Sequence, residues 1–409
     1  MNKIILRNFI VLNIERLLTI GAGVFVSGIL ARSLGTDLFG SFQYALSIVA
    51  IFMAISFFCG AEVIVPRIVE CNDNFLENII IATAFWIRLL FGIIAFIAFM
   101  VFWRERVGIN YFAVLGIPIL FKEAFSIAIA WFQAKSKNST YSTLIIISNC
   151  IKISVIGFLY FFDVYDYKYY LTVLMLDGFL VYGFIFLFFL KINKFSIFIF
   201  DKKIAVELLK KSFPFGLAVL SMYAFKKIDR VFIENYIGTQ EFSFYSAAAM
   251  IYDNLMVLGS ISIIVLAPKL IYSQSNVNLL YRNFFKITLF VIALYGIIVV
   301  FVFFLSESVV RIIFGSNYVA AVPYIYVFMA PLLLCFLDEC INVVFNKMKN
   351  GWVVFLKWGV SLLVSILFLT FEGERYGAFA GPISMILGYM SCLLIGIYFL
   401  IRIRFYKLQ

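Results

Sequence analysis

Residues 34–45 read Leu-Gly-Thr-Asp-Leu-Phe-Gly-Ser-Phe-Gln-Tyr-Ala, and residues 237–248 read Ile-Gly-Thr-Gln-Glu-Phe-Ser-Phe-Tyr-Ser-Ala-Ala. Aligned at a shift of about half the 409-residue chain, Gly35 meets Gly238, Thr36 meets Thr239, Phe39 meets Phe242 and Ala45 meets Ala248. Pro66-Arg67 then meets Pro268-Lys269, one residue out of step. The spacing predicts two copies of one helical bundle. Duplication of a very apolar chain is a common plan for secondary transporters, whose substrate path lies between the halves.

Composition makes the solvent lipid. The chain is 64% hydrophobic and 13% charged, with a mean hydropathy of +1.06. Too few polar side chains remain to coat a soluble globule. A membrane helix takes about 20 apolar residues, so twelve of them leave room only for short connections. Lys3 and Arg7 precede the first apolar stretch, but Glu15 and Arg16 interrupt it and no small-residue cleavage site follows, which reads as an uncleaved span. The six cysteines form no Cys-x-x-Cys pair and read as packing residues. Histidine is absent, which removes the usual zinc ligand, the Ser-His-Asp triad and the commonest proton relay. We therefore expect no cofactor, no metal and no catalytic residues, and any proton coupling must use carboxylates.

Spans are predicted at 9–31, 42–64, 78–102, 111–133, 141–162, 169–190, 213–236, 243–266, 284–305, 322–345, 352–371 and 377–401. Lysine and arginine concentrate in alternate connections, which by the positive-inside rule places both termini in the cytoplasm. The net charge of +11 is then an inner-face feature, and nucleic acid is not an expected partner. The longest polar connection holds Lys191, Lys194, Asp201, Lys202, Lys203, Glu207, Lys210 and Lys211 around a short apolar run. It reads as a cytoplasmic amphipathic linker, 191–212, with its basic face near anionic headgroups. The expected organisation is an amino-terminal six-helix lobe (1–190), this linker, and a carboxy-terminal six-helix lobe (213–409). An even number of spans per half makes the repeats parallel, related by an axis along the membrane normal.

Ionisable residues inside the spans carry most of the functional information. The first half has Glu15, Arg16, Glu62, Arg88, Lys122, Glu123, Lys152 and Asp177; the second has Lys226, Lys227, Asp229, Arg230, Asp253, Asp338, Glu339 and Lys357. A charge at a helix centre costs roughly 2.5–3.5 kcal/mol on insertion scales, so these groups must face protein or water. Arg16, Arg88, Lys122 and Lys152, from four helices of one bundle, suggest an anion-receiving cavity. Arginine grips a phosphate through two parallel donors, whereas lysine acts as a point charge. Glu15, Glu62, Glu123 and Asp177 equal the cations in number, so a set of buried ion pairs is the competing reading. Glu15, Glu62, Asp229 and Arg230 are candidates for cavity or gating ion pairs. Lys226, Arg230 and Glu234 are spaced by four and are expected to form a charge ladder on one helical face. Asp177 and Asp253 are candidates for binding a coupling proton or sodium ion, with a structural partner as the alternative for each. Asp338-Glu339 and Lys357 are expected to pair across neighbouring spans.

Three passages together resemble the polysaccharide-transporter family, the Wzx-type O-antigen flippases of the multidrug/oligosaccharidyl-lipid/polysaccharide exporter superfamily. They are Ala31-Arg32-Ser33-Leu34-Gly35-Thr36-Asp37-Leu38-Phe39-Gly40, Phe213-Pro214-Phe215-Gly216, and Ile228-Asp229-Arg230-Val231-Phe232-Ile233 leading to Gly238 and Tyr245-Ser246-Ala247-Ala248-Ala249. The resemblance covers nearly the whole chain in span order. It implies an all-α integral membrane protein of about twelve helices in two lobes around a V-shaped cleft. It implies flipping of undecaprenyl-pyrophosphate-linked oligosaccharide across a bacterial inner membrane, for O-antigen, lipopolysaccharide or related polysaccharide assembly. The family's cationic cavity residues map onto Arg16, Arg88, Lys122 and Lys152, and a polysaccharide polymerase or chain-length regulator becomes a candidate partner.

A polar glycan and a diphosphate cannot cross about 30 Å of hydrocarbon unaided, while a polyprenyl tail can stay in lipid. A cation-coupled multidrug-type exporter is the alternative, and it would favour a more acidic or apolar cavity. A membrane polymerase or glycosyltransferase would call for a sizeable outer domain, and the outer connections here are short. A major-facilitator transporter would show a Gly-and-Arg-rich loop where Pro66-Arg67-Ile68-Val69-Glu70-Cys71 stands.

Overall fold

The computed structural model describes residues 3–71, 73–104, 110–164, 166–193, 195–272, 276–348 and 351–406. Lys194 of the linker lies outside them. The described residues are helical, with no strand among them, because in hydrocarbon a helix satisfies its backbone groups within its own segment. In chain order the helices are α1 (Lys3–Ala54), α2 (Ala61–Val69), α3 (Asn74–Trp103), α4 (Pro118–Phe125), α5 (Ile127–Ala134), α6 (Asn138–Phe161) and α7 (Tyr167–Asn193). Then follow α8 (Lys202–Phe225), α9 (Ile228–Tyr236), α10 (Thr239–Ala267), α11 (Val277–Ile313), α12 (Val322–Met348), α13 (Gly351–Tyr376) and α14 (Ala380–Tyr406).

Nine stretches among the described residues are long and apolar enough to cross a membrane. Two of them, Val11–Val69 and Gly351–Arg402, run for 59 and 52 residues, more than twice the length of about 20 that one crossing takes. The span expected at 213–236 is not among the nine. Its helix stops at Phe225 and restarts at Ile228, where Lys226 and Lys227 interrupt the apolar pattern. Large apolar side chains such as Phe161, Leu289, Phe303, Phe304 and Phe371 stand exposed. In water each would forgo about 1.5–3 kcal/mol of burial; against acyl chains that loss disappears. The chain is a multi-pass membrane protein.

The chain folds as two compact units. One comprises Met1–Gly35 and Ala45–Leu220, the other Thr36–Tyr44 and Ser221–Gln409. The division departs from the expected boundaries at two places. The predicted linker, together with residues 213–220 of the expected carboxy-terminal lobe, belongs to the first unit, because Ala205 and Leu208 bury themselves in the same apolar cluster as Ile64, Trp131 and Phe189, with Phe215 packed against it. The nine residues 36–44 belong to the second.

The repeated phrase is a repeated joint. Gly35 interrupts α1 at φ 71°, ψ −179°, and Gly238 separates α9 from α10 at φ 118°. Both lie in the left-handed region that side-chain-bearing residues avoid. Within the second unit the two copies pack together. A Cβ on Gly40 would lie 2.9 Å from the Thr239 carbonyl oxygen, and the Tyr44 and Phe242 rings meet edge-on at 6.4 Å. Phe39 is fully buried there, 5.5 Å from the Tyr318 ring and 6.0 Å from that of Phe314.

Candidate functional site

Four cations were expected to share one cavity, and the structure gives them different surroundings. Arg88, in mid-α3, is only 3% exposed. Its Nε and Nη2 donate to the Cys59 carbonyl at 3.0 and 2.6 Å, and its Nη1 donates to the Glu123 carbonyl at 3.0 Å and to Ser126 Oγ at 2.7 Å. Cys59 lies between α1 and α2 with φ 58°, and Glu123 and Ser126 flank the junction of α4 and α5. Helix ends leave carbonyls without intrahelical donors, and Arg88 supplies them. It fastens two helix breaks of the first unit to α3. Glu62 is exposed in the first turn of α2, where a carboxylate complements the helix dipole.

A second set of charges gathers around a residue the sequence did not single out. Tyr182, half-buried on α7, is within electrostatic reach of Lys122, Glu123, Glu15 and Asp177. Lys122 Nζ lies over its ring, 5.2 Å from the centroid. On α1, Glu15 and Thr19 are one turn apart and meet α6. Ser142 Oγ donates to Glu15 at 3.5 Å, and Asn149 Nδ2 donates to Thr19 Oγ1 at 2.8 Å. Arg16 stands beside them, half-buried. Among the described residues it takes part in no hydrogen bond or ion pair, and the Glu15 carboxylate is within electrostatic reach. Its guanidinium keeps donors that Arg88 has committed.

The Lys152–Asp177 pair joins α6 to α7. Lys152 Nζ lies 2.9 Å from Asp177 Oδ2, and Ser148 Oγ donates to Asp177 Oδ1 at 2.6 Å. Ser148 and Lys152 are four apart and share a face of α6. The three line a groove of about 870 Å³ whose other walls are apolar, including Ile147 and Ile151 on α6, Leu180 and Phe184 on α7, and Phe125 on α4. Asp177 thus borders both the groove and the polar interior around Tyr182.

In the second unit the charges are bound to one another. Asp253 Oδ2 receives Lys227 Nζ at 2.8 Å and Arg230 Nη2 at 2.6 Å. Asp229, fully buried, accepts the Tyr245 hydroxyl. The expected ladder of Lys226, Arg230 and Glu234 is replaced: Lys226 precedes the restart of the helix and lies over the Trp358 ring, Arg230 turns to Asp253, and Glu234 accepts the Thr239 hydroxyl. Lys357 Nζ meets Asp338 Oδ1 at 2.6 Å, both buried, with Asn342 bonded to each. That cross-span pair is the one expected. Among the described residues no group of His, Cys, Asp or Glu is arranged to hold a metal.

Several known proteins share this architecture. A family model described as "Polysaccharide biosynthesis protein" matches residues 5–274. No curated protein matches the sequence. The lipid II flippase MurJ in an inward closed conformation superposes with a TM-score of 0.73 at 16% identity, over 94% of this chain and 87% of its own. An inward-facing multidrug resistance MATE transporter of the MOP superfamily gives 0.70 at 14% identity, over 96% and 95%. A MOP superfamily transporter from Pyrococcus furiosus, described as having a binding pocket of reverse polarity, gives 0.60 at 14%, over 98% and 95%. At these identities the likeness establishes the fold.

Proposed function

The chain belongs to the polysaccharide biosynthesis protein family, and we propose that it is a flippase moving undecaprenyl-pyrophosphate-linked oligosaccharide from the cytoplasmic to the periplasmic leaflet of a bacterial inner membrane. Its product would feed O-antigen or a related surface polysaccharide, with a polymerase or chain-length regulator downstream. The observation that carries the reading is Arg16: a guanidinium partway along a membrane helix, half-buried, without a hydrogen bond or ion pair among the described residues. Leaving such a group idle in hydrocarbon is costly, and a phosphate would satisfy it through two parallel donors.

In this reading Arg16 grips the diphosphate, Lys122 adds a second positive charge from its place over Tyr182, and the sugars contact neighbouring hydroxyls and amides. The polyprenyl chain stays in lipid. Asp177 is the candidate coupling group for a proton or sodium ion, and a coupling ion on its carboxylate would compete with Lys152 Nζ and free that cation for the diphosphate. Arg88 positions the helix breaks and does not touch substrate. Asp253, which two cations already share, keeps a structural role. Rocking of the two repeats alternates access, as parallel-repeat transporters do.

A multidrug-type exporter is the competing reading, favoured by the MATE likeness over 96% of the chain. Deleting the gene separates the two. Lipid-linked glycan accumulating on the inner leaflet supports the flippase, and restoration by the wild type but not by Arg16→Ala at equal protein level ties it to Arg16. Unchanged lipid-linked glycan together with drug hypersensitivity supports the exporter.

A further inference from the structure

The segment leading into α8 presents a combination that neither folding nor transport of a glycan explains. Trp86 Nε1 donates to the Ile197 carbonyl at 2.7 Å, and the Asp201 amide donates to Thr83 Oγ1 at 3.2 Å. These bonds tie the strap to α3 at two points. Between and beside them Phe198 is 85% exposed and Phe200 is 55% exposed. Asp201 caps α8 through its Oδ1, which accepts the Ile204 amide at 2.8 Å. Lys202 and Lys203 then occupy the first turn, both exposed.

Cations belong at the carboxy-terminal end of a helix; at the amino-terminal end they oppose its dipole. Two adjacent lysines there face the single Asp201 carboxylate, which is engaged with the Ile204 amide, so this helix end keeps a net positive charge that favours an anion from outside the helix. Farther along, Lys203, Val206, Lys210 and Phe213 recur at spacings of three and four, and all four are exposed. They form one stripe in which charged and apolar side chains alternate. Lys211 is spent on Glu207 at 2.9 Å, and Glu207 also meets Arg67 at 3.4 Å, so Glu207 is already neutralised, while Asp201 is engaged in capping α8. Exposed phenylalanines among Lys202, Lys203 and Lys210, which form no ion pair among the described residues, match the boundary between acyl chains and headgroups, where rings insert and ammonium groups reach the phosphates.

We propose that Phe198, Phe200, Lys202, Lys203 and Lys210 form a docking surface for anionic phospholipid, with the two rings among the acyl chains and the lysines on the phosphodiester headgroups. None of these five residues is among those assigned to the substrate, although Ile197 beside Phe198 lines the same groove as Lys152 and Asp177.

The test uses the full chain in bilayer vesicles and a Phe198→Trp variant, with the parent protein's fluorescence subtracted. Brominated phosphatidylglycerol and brominated phosphatidylcholine are compared as quenchers at the same mole fraction. One lysine near a charged surface changes lipid preference by about five-fold, so the added indole should show at least that preference for phosphatidylglycerol. Adding Lys202→Gln, Lys203→Gln and Lys210→Gln should bring the preference close to unity, and raised salt should weaken it. Equal quenching by the two lipids in Phe198→Trp overturns the proposal. A preference that survives the triple lysine substitution overturns it as well.

Discussion

Replacing Lys152 with Ala puts the α6–α7 junction to a quantitative test. Two unit charges 2.9 Å apart attract by about 6 kcal/mol at an effective dielectric constant of 20, a gross figure that desolvation largely cancels. Losing one partner of a buried pair typically costs 3–5 kcal/mol, because the other charge is stranded. Here Lys152 keeps 14% and Asp177 22% of its exposure, and Ser148 remains to solvate the carboxylate, so we expect the low end, about 3 kcal/mol. For a cooperative unit of this size that amounts to a fall in Tm of roughly 6–12 °C. The double variant Lys152→Met, Asp177→Leu removes both charges and should recover most of the loss, since well-packed apolar replacements of buried pairs are near neutral. Thermal unfolding of purified protein in one detergent, followed by tryptophan fluorescence, compares the three proteins. An unchanged Tm for Lys152→Ala, or a double variant as unstable as the single one, refutes the stranded-charge argument.

Arg88→Met should abolish folded protein rather than transport alone, since it leaves the Cys59 carbonyl without a donor and the Glu123 carbonyl with the Ser126 hydroxyl alone; the folded yield on size exclusion checks this. Gly35→Ala and Gly238→Ala should each cost about 1–2 kcal/mol from the left-handed backbone alone, visible as similar drops in Tm. Arg16→Lys should retain part of the flipping that Arg16→Ala loses, because one point charge replaces a two-donor grip; a quantitative assay of flipped lipid-linked glycan decides. The Lys211 hydrogen bond, with Arg67 nearby, holds the Glu207 carboxyl below its ordinary value of 4.5. Its stabilising contribution is therefore full above about pH 4.5 and lost as pH falls through the lowered folded value, so proteolysis within 202–212 should rise only in that acid range.

The apolar spans and the repeated glycine joint were legible because each has a local signature: a long apolar run, or a Gly-Thr pair that stops one helix and starts the next. The Asp338–Lys357 pair was legible too, since a lone cation in one span needs a carboxylate from a neighbour. The four amino-terminal cations were not separable. Which donors a mid-helix arginine spends depends on bare carbonyls at helix breaks 29 and 35 residues away, and periodicity carries no record of those. Cys59-Gly60 before α2 and Pro118 opening α4 were the available hints of such breaks. Tyr182 had no signal that set it apart from the chain's other tyrosines. The Lys226-Lys227 interruption was written in the sequence, but a hydropathy window averages two charges into the surrounding apolar residues.

The nine residues that follow Gly35 set a timetable for biogenesis. Phe39 finds its neighbour Phe314 only after about 275 further residues have been made, which at 5–20 residues per second takes about 14–55 s. During that wait the emerging amino-terminal unit carries an aromatic segment whose niche does not yet exist. Ribosome stalling upstream of codon 314 should therefore leave this segment open to crosslinking.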